Sequence, residues 1–260
     1  MILYFSATGN SKYVAMRVAE AIGDETASIV DCLRDGVYTF ELDGNGVLGI
    51  VAPTYAGGLP EMVERYLDGL EVENAKPPAA QGKPYVFFAG TYGKNVGQTG
   101  HVTAGHLRAR GITLDARFSV RMPDTWTPIF DLSDAEEVAR INAEAEPQID
   151  AMIEKVRTRA KGDFMQDKLA TILAAPYHAA GYQMIRKTSN FAVSENCIGC
   201  GLCERICPDH TIEMQEGHPV WVKDRCQACL ACLHRCPKFA IRYGDKTAGH
   251  GQYVNPRVGL

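Results

Sequence analysis

Apolar and polar positions follow two different rhythms along the chain, and the change of rhythm divides it. From residue 1 to 122, short apolar runs alternate with stretches of helical period. ILYFS (2–6) reads as a buried strand. Residues 11–22 follow, with Tyr13, Val14, Val18, Ala21 and Ile22 on one helical stripe. TASIV (26–30) is a short strand and VLGIVAP (47–53) a stronger one. Residues 59–70 have helical period, with Pro60 suited to the first turn. KPYVFFAG (83–90) is a further buried strand, a helix is expected within 97–109, and ITLDARFSV (112–120) closes the series. Buried strands alternating with helices imply a parallel sheet covered on both faces. Five strands at this spacing fit an α/β, doubly wound five-stranded sheet of order 2-1-3-4-5.

Beyond residue 122 the pattern changes. Residues 134–161 read as one long helix with Val138, Ile141, Ile149, Met152, Ile153 and Val156 along one side, completing a first domain over 1–161. Residues 162–187 are moderately apolar but interrupted at Pro176 and Gly181, and form a helical connector that packs against one or both domains. From 188 to 244 a unit repeats. FAVSENC and VWVKDRC precede two cysteine runs, PDHTI and PKFAI follow them, and Cys197 and Cys226 lie 29 positions apart. A fixed period signals duplication, here of a short strand, a cysteine loop, a helical turn and a second strand. The tail, 245–260, either folds back over a domain or frays.

Composition narrows the class. A chain of 260 residues, 46% hydrophobic and 22% charged, suits a soluble globular protein of two ordinary domains. A net charge of −4 implies no general affinity for nucleic acid or anionic membrane. No run of 18 apolar residues offers a membrane span. The chain opens on a strand, MILYFS, rather than on a charged region and apolar core, so the cytoplasm is the expected location.

The chemistry is concentrated in the repeat. CIGCGLCERICP begins at Cys197 and CQACLACLHRCP at Cys226, each a C-x2-C-x2-C-x3-C-P run. Thiolates select iron–sulfur chemistry, and three cysteines spaced by two residues wrap one cluster face while the fourth does not easily reach the same cluster. Zinc is the competing reading of C-x2-C pairs. Two full runs, each closed by Cys-Pro, argue against it. Disulfides are less favoured still, because eight of nine cysteines sit in these runs without a secretory signature. The ninth, Cys32, is expected to be a buried inert thiol. The runs resemble those of bacterial two-cluster ferredoxins, a small α+β domain holding two [4Fe–4S] clusters. In that family the fourth cysteine of each run ligates the neighbouring cluster. The resemblance therefore assigns Cys197, Cys200, Cys203 and Cys236 to one cluster, and Cys226, Cys229, Cys232 and Cys207 to the other.

The loop after the first strand, Ser6-Ala7-Thr8-Gly9-Asn10-Ser11, lies at a helix N-terminus, where free N–H groups and the helix dipole attract phosphate. Ser6, Thr8, Asn10 and Ser11 add side-chain donors and Gly9 permits close approach. An ordinary N-cap is the plainer alternative. Two more loops follow carboxyl ends of strands: Pro53-Thr54-Tyr55-Ala56-Gly57-Gly58 and Gly90-Thr91-Tyr92-Gly93-Lys94. The first loop resembles the phosphate loop of flavodoxins, and the resemblance implies a flavodoxin-like domain with FMN. Its phosphate rests on Ser6–Ser11, and its ring lies between Thr54, Tyr55 and Gly57 and the set Gly90, Thr91, Tyr92 and Gly93. Tyr55 and Tyr92 are the stacking candidates. Trp126 is a candidate to cap the flavin, to shield a cluster, or simply to pack. Gly44, Gly46 and Gly49 satisfy G-x-G-x-x-G but precede a strand instead of following one, so DGNG (43–46) reads as a turn. The seven histidines form no ligand spacing.

The whole chain resembles the flavodoxin/two-cluster ferredoxin fusion proteins of anaerobic bacteria and archaea. That resemblance implies an electron relay between FMN, two [4Fe–4S] clusters and an external redox protein. The alternatives are an FMN-dependent reductase of a quinone or nitro compound fed by the clusters, and an electron-transfer subunit of a larger oxidoreductase.

Overall fold

The computed structural model describes residues 1–74, 82–168 and 176–259. The connector expected at 162–187 falls partly outside them, as does the last residue of the tail. The central sheet contains β1 (Ile2–Tyr4), β2 (Thr26–Ser28), β3 (Val47–Pro53), β4 (Tyr85–Tyr92), β5 (Ala116–Arg121) and β6 (Gly162–Asp163). All pairings are parallel, in the order β2-β1-β3-β4-β5-β6. This is the expected order extended by one short edge strand. Helices α1 (Asn10–Ile22), α2 (Ile29–Asp35), α3 (Glu61–Gly69), α4 (Thr99–Ala109) and α5 (Ala135–Arg157) cover it.

Neighbouring residues on the central strands point to opposite faces, so each strand feeds two cores. Ile2, Val51 and Phe87 join Val14 and Val18 of α1 and Ile149 and Ile153 of α5 on one side. Leu3, Ile50 and Phe88 join Met62 and Tyr66 of α3, Ile29 of α2 and Leu107 of α4 on the other. Each such buried side chain contributes roughly 1.5–3 kcal/mol, which fixes strand register and holds the loops at the carboxyl ends in place.

Several elements depart from the sequence reading. Residues 29–35 are helical, with Ser28 Oγ accepting from the Asp31 N–H, so TASIV is only half strand. Residues Thr39–Leu42 and Glu71–Asn74 pair in a separate parallel ribbon that the pattern did not reveal. Pro60 is the N-cap of α3 rather than a residue of its first turn. Strand β4 runs through Tyr92, so Gly90, Thr91 and Tyr92 belong to the strand and not to the loop after it. The turn at 43–46 is present, closed by Gly46 N–H to Asp43 O at 2.9 Å.

The cysteine module interlocks its two repeats. Phe191–Val193 pairs antiparallel with Ile241–Tyr243, and Ile212–Gln215 with His218–Trp221, so the first strand meets the last and the middle two meet each other. Helical turns Leu202–Arg205 and Ala231–His234 lie between. The connector and the module dock against the start of α3, whose N-cap, Pro60, offers no side-chain acceptor. The Glu61 N–H donates to Tyr182 Oη at 3.3 Å and the Met62 N–H to Gln227 Oε1 at 3.1 Å. Arg186 pairs with Glu61 and donates Nε–H to Cys226 O.

The tail folds back over both modules. Gln252 donates to the carbonyls of Leu233 and Cys236, and the Tyr253 N–H donates to His234 Nδ1. Beyond that, the Asn255 N–H reaches Thr8 O at 2.7 Å, in the loop between β1 and α1.

Candidate functional site

Two loops and the amino end of α1 open one cavity of about 290 Å³. Gly9 is the N-cap of α1 with φ 99°, and no side chain caps the helix. The first-turn N–H groups of a helix have no intrahelical partner, so this end offers donors to an anion. Ser6, Thr8, Asn10 and Ser11 line the cavity with Thr54, Tyr55, Gly57, Thr91, Tyr92 and Gly93. Gly9 and Gly90 are not among the lining residues; Gly90 lies within β4, where a Cβ would press on Val96 and on Thr99 at the start of α4.

Not every expected donor faces the cavity freely. Asn10 Oδ1 lies 2.8 Å from Tyr253 Oη and accepts from Asn255 Nδ2, while its Nδ2 donates to Pro123 O at 3.3 Å. That amide is committed to holding the loop and the tail. Ser11 Oγ bonds Thr91 Oγ1 at 2.8 Å, joining two expected site residues to each other. Ser6 Oγ accepts from the Gly9 N–H at 3.1 Å and shapes the loop.

The two tyrosines differ. Tyr55 stands on a tight turn, with reciprocal bonds to Gly58 of 2.8 and 3.0 Å, and meets Phe5 edge-on. Tyr92 is only 6% exposed, packs in the core, and donates its hydroxyl to Asp167 at 2.8 Å. Its ring borders the cavity from a fixed position and is less suited to stacking than Tyr55. Trp126 lines the cavity and meets Tyr243 edge-on at 5.0 Å, so it forms a wall shared with the cysteine module.

Two orphaned buried atoms test the fit of a flavin. Thr54 Oγ1 and Asn95 Oδ1 both belong to cavity-lining residues and have no hydrogen-bond partner among the described residues. Unsatisfied buried polar atoms are rare and call for a ligand or water. Uncapped helix donors, an aromatic wall and orphaned polar atoms suit a flavin phosphate and a planar heterocycle with polar edges. Sequence reasoning missed Asn95, one residue beyond the expected loop, and Asp124, next to Trp126. Burial pushes the Asp124 carboxyl up to about 6, opposed by the Trp126 N–H and by Lys94.

The eight expected cluster ligands gather as two groups of four. Cys197, Cys200, Cys203 and Cys236 line one small cavity, and Cys207, Cys226, Cys229 and Cys232 line another. Among the described residues, no three His, Cys, Asp or Glu side chains converge on a single metal position. Zinc needs four sulfurs about 2.3 Å from one point. A ring around a cavity suits a multi-atom cluster better. The second ring is the inner one: Cys207, Cys226 and Cys232 are each 8% exposed, whereas Cys200 is exposed and its neighbour Ile198 is 60% exposed. Burial pushes the Cys226 thiol up to about 11 and Cys229 and Cys232 higher still, so thiolates there require a cationic partner in the same cavity. N–H groups of Thr211, Ala228 and Ala240 donate to the sulfurs of Cys207, Cys226 and Cys236, each at 3.3 Å. Cys229 lines both the inner ring and the phosphate-loop cavity.

Comparison with known proteins gives two family matches. A flavodoxin domain model matches residues 1–151, and a 4Fe-4S dicluster domain model matches residues 196–249. Two uncharacterized ferredoxins of Methanocaldococcus jannaschii are similar to this chain. One is 33% identical over 70 residues, 26% of this chain and 45% of the relative. The other is 36% identical over 58 residues, 18% of this chain and 66% of the relative. The chain thus spans less than two thirds of either. A solved structure of the Trp repressor binding protein from Bacillus subtilis covers 62% of this chain and 99% of its own, at 10% identity and a TM-score of 0.38. A likeness at that level carries no functional argument. Among the described residues, no helix is long and apolar enough to cross a membrane.

Proposed function

Because the chain belongs to the flavodoxin domain family and continues into a 4Fe-4S dicluster domain, we propose that this electron-transfer iron–sulfur flavoprotein holds one FMN and two [4Fe–4S] clusters and relays electrons to or from an external redox protein. The flavin module spans 1–161, the ferredoxin module 188–244, and 245–260 is a strap across both. FMN, when bound, exchanges one or two electrons, whereas a cluster exchanges one at a time. Its phosphate is held by the N–H groups at the start of α1 with Ser6 and Thr8. Tyr55, Thr54 and Asn95 contact its ring. Cys207, Cys226, Cys229 and Cys232 hold the inner cluster, and Cys197, Cys200, Cys203 and Cys236 the outer.

One observation carries the reading: Cys229 belongs to the inner cysteine ring and to the wall of the flavin cavity. Cys229 and its neighbour Leu230 both line the two cavities and form the wall between them. Exposed Cys200 and Ile198 put the outer ring within reach of a partner. The chain's own contribution is placement, burial of the inner ring, and N–H donors to the sulfurs. Anaerobically reconstituted protein is expected to contain about eight irons and one FMN per chain, and an EPR-monitored redox titration orders the three centres. Bound zinc, or no flavin after reconstitution, overturns the reading.

A second reading has its own support. Ile129, Tyr177 and Met184 line the same cavity yet are 67%, 54% and 66% exposed. Large exposed apolar side chains at a cavity mouth mark a binding surface. They suit a flat apolar acceptor such as a quinone or nitro compound. Turnover of such acceptors with reduced ferredoxin, and a raised KM in an Ile129→Ser, Met184→Ser protein, support the reductase; no turnover leaves the relay.

A further inference from the structure

A second, larger cavity of about 530 Å³ lies on the other side of the phosphate loop. Ser6 and Ala7 line both cavities, so the loop is a shared wall. The far side is closed by the ferredoxin module, with Cys207 and Cys229 of the inner ring exposed to it. The size falls within the roughly 300–1,000 Å³ typical of small-molecule sites.

Its charge is one-sided. Lys12, Arg34, Arg65, Arg205, Lys223 and Arg235 line it, against the carboxylates of Asp31 and Asp209. Arg34 pairs with Asp31 at 2.8 Å, and Asp209 accepts from Gln227 Nε2 at 2.6 Å, whereas Arg65 stands 3.8 Å from Asp209, beyond hydrogen-bond distance, and keeps its donors for a ligand. The remaining four cations have no carboxylate partner among the described residues. Lys12 donates to Gly259 O, Arg205 to Cys200 O and Lys223 to Asp209 O, all backbone carbonyls. The half-buried Arg235 guanidinium makes no hydrogen bond among the described residues, although desolvating a guanidinium without one is costly. Cationic side chains converging in a walled cleft raise the local concentration of anions and favour bidentate phosphate contacts.

We propose that this cleft is a second ligand site, for a phosphate-bearing anion of nucleotide size held by Arg65, Arg205, Lys223 and Arg235. Two sources supply that chemistry. One is the adenylate half of FAD, reaching around the phosphate loop from a flavin on the other side. The other is a free nucleotide beside bound FMN. The proposal rests on the flavin reading for the first source only.

ADP is the probe, titrated by calorimetry into cluster-loaded protein with FMN bound and again without flavin. FAD and FMN are compared in the flavin-free protein. A free nucleotide site gives ADP binding with FMN in place and equal affinities for FAD and FMN. The adenylate of FAD gives FAD tighter than FMN by about tenfold or more, the value of one or two charge-assisted contacts. In either case an Arg65→Gln, Lys223→Gln protein weakens the phosphate-dependent binding by about tenfold while iron and FMN content stay at the parent level. Absence of ADP binding together with equal FAD and FMN affinities overturns the site, and means that the cations serve only to offset the charge of the clusters. So does ADP binding indifferent to the double substitution. A protein that takes up no flavin but still binds ADP overturns the flavin reading and leaves this site standing.

Discussion

Substituting Gly97 by alanine tests whether the two loops that wall the flavin cavity are held by direct backbone contact. Gly97 has φ 57°, and a Cβ there would fall within 3.0 Å of the O, C and Cα atoms of Gly57. Those atoms are backbone and have no rotamer to escape into. The same crossing is closed by the Gln98 N–H donating to Gly57 O at 3.0 Å. A left-handed alanine costs about 1 kcal/mol, and forcing two packed backbones apart adds about 1–3 kcal/mol. Gly111 supplies the control: it too has positive φ, 74°, but its Cβ would meet nothing within 4 Å. Gly111→Ala therefore isolates the conformational cost. At about 2–4 °C per kcal/mol for a chain of this size, Gly97→Ala should melt about 2–12 °C below Gly111→Ala. It should also bind flavin more weakly, because the Tyr55 turn moves with Gly57. Melting curves and flavin fluorescence quenching measure both. Equal melting temperatures in the two variants would refute the close approach, and normal flavin binding in a destabilised Gly97→Ala would refute its link to the cavity.

Further outcomes follow from the other contacts. Cys207→Ala removes one inner-ring sulfur supplied by the first cysteine run, so iron should fall from about eight to about four or fewer per chain; a full cluster pair in that variant ends the crossed assignment. Burial raises the Asp124 pKa from 3.8 to about 6, so the folded flavin-free protein binds more protons than the unfolded chain between those values. Stability should then fall as pH rises from 4 to 6, by about 3 kcal/mol at most. Asp124→Asn should lose that slope, and an unchanged slope assigns it to other groups. Deleting residues 250–260 removes the bonds from Tyr253 and Asn255 to Asn10 and Thr8. Flavin dissociation should accelerate by about fivefold or more, the equivalent of one hydrogen bond; an unchanged rate shows that the loop holds its shape alone.

The parts legible in the sequence were those whose signal is local. Strand 47–53 is a continuous apolar run bounded by a turn, and it occurs at those residues. The cysteine runs also carry a local signal, and a 4Fe-4S dicluster domain model matches residues 196–249 around them. Helix α2 was hidden because Ile29 and Val30 are β-branched and read as strand, although Ser28 and Asp31 carried a capping signal. The ribbon at 39–42 and 71–74 joins short, half-exposed segments from distant parts of the chain, which no window of sequence reveals. The role of Asn10 was misread for a similar reason. Its loop looked like a set of side-chain donors, but a residue 243 positions away takes up its amide oxygen. Tyr182 of the connector and Gln227 of the ferredoxin module accept from the first N–H groups of α3, and single polar residues do not announce such a task.

The strap also imposes an order on biosynthesis. The phosphate loop leaves the ribosome early, but Tyr253 and Asn255, which tie down Asn10 and Thr8, leave only after every cysteine of the ferredoxin module. Gln252 and Tyr253 are themselves anchored on Leu233, His234 and Cys236, inside that module. A chain arrested before its iron sites are complete therefore has an unlatched flavin loop. Retention of the flavin is thereby coupled to whether the downstream module has been made and folded, so a nascent or clipped chain would hold its flavin more loosely than the finished protein.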